Sequence, residues 1–598
     1  MTTIKERLSA LRKTMAQKHI GVVLIPTSDY HASEYLGEHF QVRQYFSGFT
    51  GSAGTLVVLP EEAGLWTDGR YFIQADLELK GSGITLYREG QPDVPELEDF
   101  LYGKLPEGAI LALDGRMADA SWCLELSKKL APKNVTLLSD FDPAEGVWED
   151  RPHLSEEPVF LLPPEYAGKS TTEKLADLRK ELEKLDVDAH VLTTLDDIAW
   201  LYNFRGGDVA YNPVALAYTA VERERAVLFI EKKKLSAEVL ERLASANVEV
   251  KPYEDVYQYV KGFNKLQRVL VSKKKVNYAL YSKIDSHATV VEGDNPTTHA
   301  KAIKNRTESD NFRKVHVKDG IAVTRWMYWM KTRGWDKEIN EVDVAKHVDA
   351  LRMEQPGCLG LSFPTISAYG PNATMGHYHA TEANCAVVKP EGLFLLDSGG
   401  QYYEGTTDIT RTVSVGAVTA EQKRHFTLVL KGTLRLSNVK FLHGLTGLQL
   451  DILAREALWA EGLDYNHGTG HGIGYVLCVH EGPNSFRYRN LPGRIPPCVF
   501  EPGMVTSVEP GMYVEGSHGI RLENLVLCVE GEKTEYGRFL KFETLTLAPF
   551  DLDVVETELL SAQEKEWLNA YHSRVYEMIA PHIPEEERTW LKQATRAI

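Results

Sequence analysis

Two short segments with symmetrically placed acidic residues constrain the fold of this chain more than any other feature. In the first, residues 393–415, two apolar or β-branched runs flank a glycine- and tyrosine-rich centre, which predicts a β-hairpin. Asp397 and Asp408 lie symmetrically about the tyrosine pair at 402–403. A turn there would bring the two Cβ atoms to about 5 Å, a costly distance for like charges unless a cation lies between them. The alternative is a pair of solvated turn aspartates.

The second segment repeats this arrangement and adds histidines. Glu509 and Glu523 are symmetric about Gly516, and His467 and His471 lie upstream in a glycine-rich stretch where the backbone can approach a ligand closely. Four carboxylates and one imidazole suit a pair of divalent cations that carboxylates bridge. A set of mostly oxygen ligands with one nitrogen favours Mn²⁺, with Zn²⁺ or Co²⁺ as the alternatives.

The length of the chain and the order of its elements predict several domains. A chain of 598 residues exceeds a single core. A helix, a strand, a polar loop, a glycine-rich stretch and a strand pair follow one another near the N-terminus, and the same order recurs after an acidic, proline-rich linker. We predict two similar α/β domains, a third domain of mixed structure and a helical C-terminal extension, with the bounds 1–155, 156–303, 304–550 and 551–598.

Composition and charge exclude several classes of function. The formal net charge of −17 argues against a nucleic-acid partner. Six dispersed cysteines without a Cys-x-x-Cys pair predict buried thiols in a reducing compartment. The N-terminus lacks the pattern of a signal peptide and no apolar run reaches about 18 residues, so we expect a cytoplasmic protein with no membrane partner.

The motifs resemble those of one enzyme family. Five residues match, in their order, the metal ligands of the pita-bread metallopeptidases: Asp397, Asp408, His471, Glu509 and Glu523. The phrases Asp-Ser-Gly-Gly-Gln-Tyr, His-Gly-Thr-Gly-His-Gly-Ile-Gly and Val-His-Glu-Gly-Pro resemble aminopeptidase P, in its long, three-domain cytosolic form, and the likeness spans nearly the whole chain. It implies two creatinase/prolidase N-terminal-like α/β domains followed by a pita-bread catalytic domain.

The resemblance also implies how the ligands divide between two ions. Asp397 would bind one metal, His471 and Glu509 the other, and Asp408 and Glu523 would bridge them. Because a single Zn²⁺ already lowers the pKa of bound water to about 7, a hydroxide that bridges two ions is the expected nucleophile, and no serine or cysteine nucleophile is required.

Further residues are assigned to catalysis and substrate binding. By resemblance, His377, His467 and His480 contact the substrate; His377 and His480 also join the catalytic set, with His480 as the proton shuttle. Arg521 lies two residues before Glu523, on the same face of a strand, and we expect it to orient a carboxylate or the shuttle histidine.

The sequence leaves alternatives open for three other residues. Arg70, in the first domain, is a substrate contact by resemblance; a structural salt bridge is the alternative. The roles of His379 and of Arg411, beside Asp408, stay open. The pattern around His377 departs from the commoner His-Tyr-Ala-Pro motif, because His379 and Ala380 follow Tyr378.

The expected activity is removal of the N-terminal residue from peptides with proline at position two. The alternatives are a prolidase that cuts Xaa-Pro dipeptides, which the duplicated domain disfavours, and a pita-bread peptide-binding protein, which the complete ligand set disfavours. The resemblance further implies a homodimer.

Overall fold

The chain is described by a computed structural model over residues 2–335, 337–376, 378–490 and 497–598. It divides into two compact units, each described here by itself. The first comprises Met1–Leu161, Ser170–Ala210 and Val214–Thr297, and the second comprises Leu162–Lys169, Tyr211–Pro213 and Thr298–Ile598. Among the described residues, no helix combines the length and the apolarity needed to cross a membrane.

The first sheet of the first unit has six strands in the order β4-β3-β2-β1-β5-β6. Its strands are β1 (Val22–Pro26), β2 (Thr55–Val58), β3 (Ala63–Thr67), β4 (Thr85–Arg88), β5 (Ile110–Ala112) and β6 (Thr136–Leu138). The helices of this part are α1 (Ile4–Gln17), α2 (Val42–Ser47), α3 (Phe72–Glu78), α4 (Leu97–Lys104) and α5 (Ala120–Leu130). Helix α1 begins with a capping box between Thr3 and Glu6 and buries the apolar face that its spacing predicts.

A second six-stranded sheet follows, in the order β12-β11-β10-β8-β13-β14. The strands are β7 (Phe160–Leu161), β8 (Ala189–Leu192), β9 (Phe204–Arg205), β10 (Tyr218–Glu222), β11 (Ala226–Phe229), β12 (Val248–Lys251), β13 (Arg268–Val271) and β14 (Thr289–Glu292), with β7 and β9 forming a separate pair. The helices are α6 (Pro164–Ala167), α7 (Thr171–Lys184), α8 (Leu195–Tyr202), α9 (Ala237–Ser245), α10 (Val256–Tyr259), α11 (Tyr278–His287) and α12 (Pro296–Ala302).

The two sheets have the same topology. In each, the first strand pairs antiparallel with the second and parallel with the fifth, and the third pairs parallel with the fourth. The duplication predicted from the order of elements is therefore confirmed. One detail differs from the predicted order of elements: in the second copy, residues 195–202 form helix α8 where the pattern predicts a polar loop.

The second unit contains α6 and the remaining elements, and its described strands form one six-stranded sheet and three smaller ones. Its strands are β15 (Cys358–Leu361), β16 (Ile366–Tyr369), β17 (Leu393–Ser398), β18 (Gly400–Tyr402), β19 (Gly405–Thr406), β20 (Ile409–Ser414), β21 (Lys440–Leu442), β22 (Gly470–Gly472), β23 (Glu481–Phe486), β24 (Val505–Val508), β25 (Gly511–Val514), β26 (His518–Arg521), β27 (Asn524–Thr534) and β28 (Gly537–Thr544). Its helices are α13 (Arg306–Thr332), α14 (Glu341–Met353), α15 (Ala420–Ser437), α16 (Gly447–Leu450), α17 (Ile452–Trp459), α18 (Ala562–Ile579) and α19 (Glu585–Ala594).

Helices pack against these sheets and fix the strands that carry the acidic residues. The strands join in the orders β15-β18-β19, β16-β17-β20, β21-β28-β27-β24-β22-β23 and β25-β26. Trp326 of α13 and Val348 of α14 pack with Phe394 of β17 and Val413 of β20 in one buried cluster. Helix α13 begins with a capping box at Asn305, so its long apolar face starts at a defined residue.

The cysteines follow the prediction only in part. None of the six forms a disulfide, and Cys123, Cys478 and Cys528 are buried thiols. The expectation that all six are buried is wrong, because Cys358, Cys385 and Cys498 are partly exposed.

The C-terminal helices are held by a buried carboxylate. Glu564 of α18 is 2% exposed, and it accepts hydrogen bonds from Lys431 Nζ at 2.8 Å and Arg435 Nε at 2.7 Å, both on α15. Burial opposes ionisation of Glu564, but these two cations and the backbone of Ser561 outweigh it and lower its pKa to about 2.

We expect Glu564→Gln to lower the free energy of unfolding at pH 7 by about 2 kcal/mol, the range for hydrogen bonds to charged groups. Because the folded-state pKa is depressed from 4.5 to about 2, this stabilisation is present above pH 4.5 and is lost as the pH falls towards 2. Urea unfolding of both proteins between pH 7 and pH 3 measures it. Exposed Glu566 on the same helix provides the control, Glu566→Gln, which should change little. A gap between Glu564→Gln and the parent that stays constant with pH would contradict the assignment.

Candidate metal centre

Glu509 and Glu523 lie opposite each other, between the strand pair β24–β27 and the strand pair β25–β26. The register of β24 against β27 continues, without a shift, in the register of β25 against β26, and both are centred on Gly516. Gly516 has a φ of +72°, a conformation that favours glycine at the turn. The symmetry read from the sequence is therefore confirmed, and the two glutamates occupy the positions where the strands pass from one sheet to the other.

The first hairpin has a different register from the predicted one. Asp397 pairs with Thr410, not with Asp408, because the turn lies at residues 403–404 and not at 402–403. Moving the turn centre by one residue moves every cross-strand partner by two. Asp408 immediately precedes β20, so it occupies the diagonal position, on the same side of the hairpin as Asp397.

Three of the predicted ligands converge closely. Asp408, His471 and Glu523 each offer a ligand atom within 4.8 Å of the others. His471 Nε2 lies 3.5 Å from an oxygen of Asp408 and 3.4 Å from an oxygen of Glu509. Its other ring nitrogen, Nδ1, lies 3.0 Å from the carbonyl oxygen of Gly472, which assigns the proton to Nδ1 and the lone pair of Nε2 to the carboxylates.

Glycines on either side of His471 allow β22 to fit between its neighbours. A Cβ atom on Gly470 would lie 1.9 Å from the carbonyl oxygen of Ser507, and one on Gly472 would lie 2.2 Å from that of Glu481. No larger residue fits at either position without displacing the backbone. The two glycines thus allow the close backbone packing that fixes the position of His471 in the site.

The carboxylates are crowded in a way that fits a cation. Asp397 Oδ1 is buried and has no hydrogen-bond partner within the described part of the chain. Burial raises the pKa of Asp397 to about 6, with the Asp408 carboxylate adding to the effect and Arg521 opposing it. Burial, then Asp408 and Asp397, also raise the pKa of Glu523 well above its usual value. Divalent ions relieve this repulsion and supply the missing partner of Asp397, so the residues present fit metal.

Arg521 organises one side of the site. Its Nη2 lies 2.5 Å from Asp397 Oδ2, and its Nη1 donates to Tyr513 Oη at 2.9 Å. Its Nε donates to Thr410 Oγ1 at 3.1 Å, and that hydroxyl donates to Glu523 Oε2 at 2.9 Å. Arg521 therefore orients Asp397 directly and Glu523 through Thr410.

The sequence interpretation missed Tyr513 and Thr410. Tyr513 Oη also lies 2.9 Å from His467 Nε2, so the phenol joins His467 to Arg521. The alternation that selected Arg521 as a neighbour of Glu523 also selects Thr410, two residues from Asp408. The spacing of Thr410 from Asp408 is thus the sequence signal that indicates its position in the site.

His480 lies beside His471 at the start of β23. The two rings are perpendicular, with centroids 4.3 Å apart. The next residue, Glu481, is buried between Lys301 at 3.0 Å and Lys304 at 2.6 Å. This clamp fixes the strand that follows His480, and it was not predicted because its lysines lie some 180 residues upstream.

Four further residues named from the sequence remain to be located: His377, His379, Arg411 and Arg70. His377 lies outside the described residues, and its neighbour His379 is exposed. Arg411 is buried and donates to the main-chain oxygen of Glu523 at 2.6 Å and to that of Pro549 at 3.0 Å, which indicates a structural role. Arg70, in the first unit, pairs with Asp68 at 2.7 Å; its substrate contact stays a prediction.

Models of known families match nearly the whole chain. The Creatinase/Prolidase N-terminal domain matches twice, over residues 7–147 and 150–308. Metallopeptidase family M24 matches residues 310–530, and the C-terminal region of that peptidase matches residues 538–598. The chain therefore has the predicted fold class, two creatinase/prolidase N-terminal domains followed by a pita-bread catalytic domain. The domain bounds at 155, 303 and 550 stay predictions.

Several relatives match over their full length. "Probable Xaa-Pro aminopeptidase P" of Sordaria macrospora is 39% identical over 99% of this chain and 98% of its own. Aminopeptidase P1 of Arabidopsis thaliana is 37% identical over 100% and 99%. Among solved structures, X-prolyl aminopeptidase from Caenorhabditis elegans, described as a cytosolic enzyme with a di-nuclear active site, is 35% identical with a TM-score of 0.93 and complete coverage of both chains. The Xaa-Pro dipeptidase from Bacillus anthracis, 25% identical, covers 64% of this chain and 99% of its own, with a TM-score of 0.50.

The fold and the converging carboxylates and histidine are those of a metallopeptidase of family M24. Identities of 35–39% over nearly the full length identify one family within this class of metallopeptidases. The chain belongs to the Xaa-Pro aminopeptidase P family.

Proposed function

We propose that this protein removes the N-terminal residue from peptides whose second residue is proline. It is a metal-dependent Xaa-Pro aminopeptidase, a hydrolase of family M24. One observation supports the proposal more than the others: Asp408 and Glu523 converge with His471, and Glu509 lies 3.4 Å from the same histidine, in a chain that matches Xaa-Pro aminopeptidases over nearly its full length. The Xaa-Pro bond is a tertiary amide without an N–H group, so a dedicated site is needed to bind it.

Five residues would hold two divalent ions. We assign Asp397 to one ion, His471 and Glu509 to the other, and Asp408 and Glu523 to both. The mostly oxygen ligand set favours manganese, with zinc or cobalt as alternatives. When bound, the ions supply an activated water for attack on the scissile carbonyl and stabilise the charge that develops there.

The remaining site residues bind the substrate and move protons. His480, beside His471, is assigned to hand a proton to the leaving proline nitrogen, which has no hydrogen of its own. His467 is joined to Arg521 by Tyr513, so its ring is held in one orientation for contact with the peptide. His377 completes the substrate-binding histidines. Arg521 holds Asp397 in place throughout.

Hydrolysis of defined peptides tests the proposal. The metal-loaded enzyme should release the first residue from Xaa-Pro-Xaa and leave Xaa-Ala-Xaa essentially intact. Activity on Xaa-Pro dipeptides alone would identify a prolidase instead, and binding of both peptides without cleavage would identify a binding protein. Loss of activity with a chelator, together with resistance to a thiol-alkylating agent, would exclude a cysteine nucleophile.

The first domain is proposed to contact the peptide through Arg70. We expect Arg70→Ala to raise KM about tenfold for a longer peptide while leaving kcat and metal content unchanged, because a contact remote from the scissile bond contributes mainly to binding. Arg88, which is exposed and paired with Asp76 in the same domain, provides the control Arg88→Ala. Unchanged constants for both a tripeptide and a longer peptide would mean that Arg70 only pairs with Asp68.

The assembly and location of the protein are also proposals. The likeness to aminopeptidase P supports a homodimer, which sedimentation of the purified protein tests. A cytoplasmic location is supported by the likeness to the Caenorhabditis elegans enzyme, whose description calls it cytosolic.

A further inference from the structure

A buried arginine outside the metal centre holds the main chain on which His467 lies. Arg455, in the middle of α17, is fully buried. Its Nη1 donates to the carbonyl oxygen of Tyr465 at 2.7 Å, and its Nη2 donates to the carbonyl oxygen of His467 at 2.7 Å. One guanidinium group therefore binds two carbonyls of the irregular segment that connects α17 to β22.

Two carboxylates fix the guanidinium group of Arg455 in turn. Its Nε donates to Asp451 Oδ2 at 2.8 Å, and its Nη1 also donates to Asp464 Oδ1 at 2.6 Å. Asp451 is fully buried, whereas Asp464 is exposed. Because the planar fork of an arginine presents its donors in fixed directions, a guanidinium group that the carboxylates hold in place also determines where the two carbonyls lie.

An aromatic ring links the same guanidinium group to the imidazole of His467. The centroid of the Tyr465 ring lies 3.8 Å from Cζ of Arg455 and 4.9 Å from the centroid of the His467 ring. The ring of Tyr488 also packs on the guanidinium group, with its centroid 4.3 Å from Cζ. Arg455 thus contacts the main chain of His467 directly and its side chain through Tyr465.

The imidazole of His467 has a defined orientation in the site. Its Nδ1 lies 2.8 Å from the carbonyl oxygen of Gly468, and its Nε2 lies 2.9 Å from Tyr513 Oη. The first contact assigns the proton to Nδ1, so Nε2 accepts from the phenol. Because both contacts depend on the position of the main chain at residue 467, a shift of that main chain would turn the ring away from Tyr513.

We propose that Arg455 is a positioning residue that fixes His467 for contact with the Xaa-Pro peptide. The inference rests on the proposed function, since it takes His467 as a substrate contact. Arg455 would act only through Tyr465 and the main chain of His467, and would touch neither metal nor substrate.

Arg455→Lys tests the proposal. The lysine keeps a positive charge beside Asp451, but its ammonium group lacks the planar fork that reaches a carboxylate and two carbonyls at once. We expect KM for Xaa-Pro-Xaa to rise about tenfold, with kcat and metal content nearly unchanged. Arg435, which donates to Glu564 in the same unit, provides the control Arg435→Lys, and that variant should keep the KM of the parent.

A double-mutant cycle with His467→Ala decides whether Arg455 acts through His467. The double variant should have no higher KM than His467→Ala alone, because the second change removes the placement of a side chain already absent. The inference would be overturned by effects on KM that multiply, or by a KM that His467→Ala leaves unaffected while Arg455→Lys raises it. A lower melting temperature of Arg455→Lys with an unchanged KM would also overturn it, since a residue that only stabilises the fold gives that result. None of these results would affect the proposed function, which fails only if the parent enzyme does not cleave Xaa-Pro-Xaa.

Asp464→Ala covers the case in which Arg455→Lys does not fold. Asp464 is exposed, so its removal leaves the core intact but takes away one of the two carboxylates that hold the guanidinium group. A smaller rise in KM that is again not additive with His467→Ala supports the inference, and an unchanged KM contradicts it.

Discussion

Replacing Glu523 with alanine should abolish hydrolysis and metal binding together. Glu523 is 2% exposed and lies with Asp408 and His471 in the tightest group of ligand atoms. Its removal takes away a carboxylate that we assign to both ions and leaves Thr410 Oγ1 without its acceptor. We expect a loss of about 10⁴-fold or more in kcat/KM, because Lewis-acid activation contributes several kcal/mol to the barrier.

Measuring the metal content together with the rate shows whether Glu523→Ala loses activity because it loses metal. The variant should hold fewer than two ions per subunit after dialysis against trace metal, whereas the parent should hold two. Glu515, exposed near the tip of the same hairpin, provides the control Glu515→Ala, which should keep both activity and metal. Two bound ions and full activity in Glu523→Ala would remove Glu523 from the ligand set.

Replacing His480 with alanine should separate chemistry from metal binding. We expect kcat to fall by about 10²- to 10⁴-fold, the range for a general acid–base group, while two ions stay bound. The reason is that His480 contacts the ring of His471, with centroids 4.3 Å apart, and is assigned to proton transfer and not to metal binding.

The outcome that would contradict this assignment is loss of metal from His480→Ala, which would make His480 a ligand. Exposed His443, paired with Glu501 at 2.7 Å, provides the control His443→Ala. That variant removes an imidazole of the same size from the same unit, and its kcat should not change.

Features that depend on local pattern could be predicted from the sequence. The second hairpin is symmetric about Gly516 both in the sequence and in the register of β25 against β26, because a single turn residue and strict alternation determine that register. The duplicated α/β domain was also predictable, since the order of its elements repeats even though few residues do. The capping box of α7 also depends on local pattern, because Ser170 and Glu173 have the Ser-x-x-Glu spacing that such a cap requires.

Features that depend on one residue of register or on distant contacts could not be predicted. The first hairpin was placed wrongly because a Tyr-Tyr pair and the adjacent Tyr-Glu pair are equally acceptable turns, and only the packed structure selects residues 403–404. Glu341 has the sequence pattern of an ordinary residue in the first turn of a helix. In the structure it is buried and accepts the N–H groups of Tyr369 and Ala386, which are distant from it in sequence.

The buried lysines beside His480 illustrate the same limit. Lys301 and Lys304 lie in a polar stretch that patterns assign to the surface, yet both are buried against Glu481. Buried charges are rare unless paired, and the partner here is about 180 residues away in sequence. The motif around His480 was therefore recognisable, whereas the contacts that hold it were not.

Titration of the metal-free enzyme with Mn²⁺ tests the central claim most directly. After chelation and removal of the chelator, hydrolysis of Xaa-Pro-Xaa is measured against equivalents of metal per subunit. Two ions held by Asp397, Asp408, His471, Glu509 and Glu523 predict an inactive starting protein and a rate that reaches its maximum at two equivalents. Full activity in the metal-free protein, or a maximum at one equivalent, would contradict a two-metal aminopeptidase.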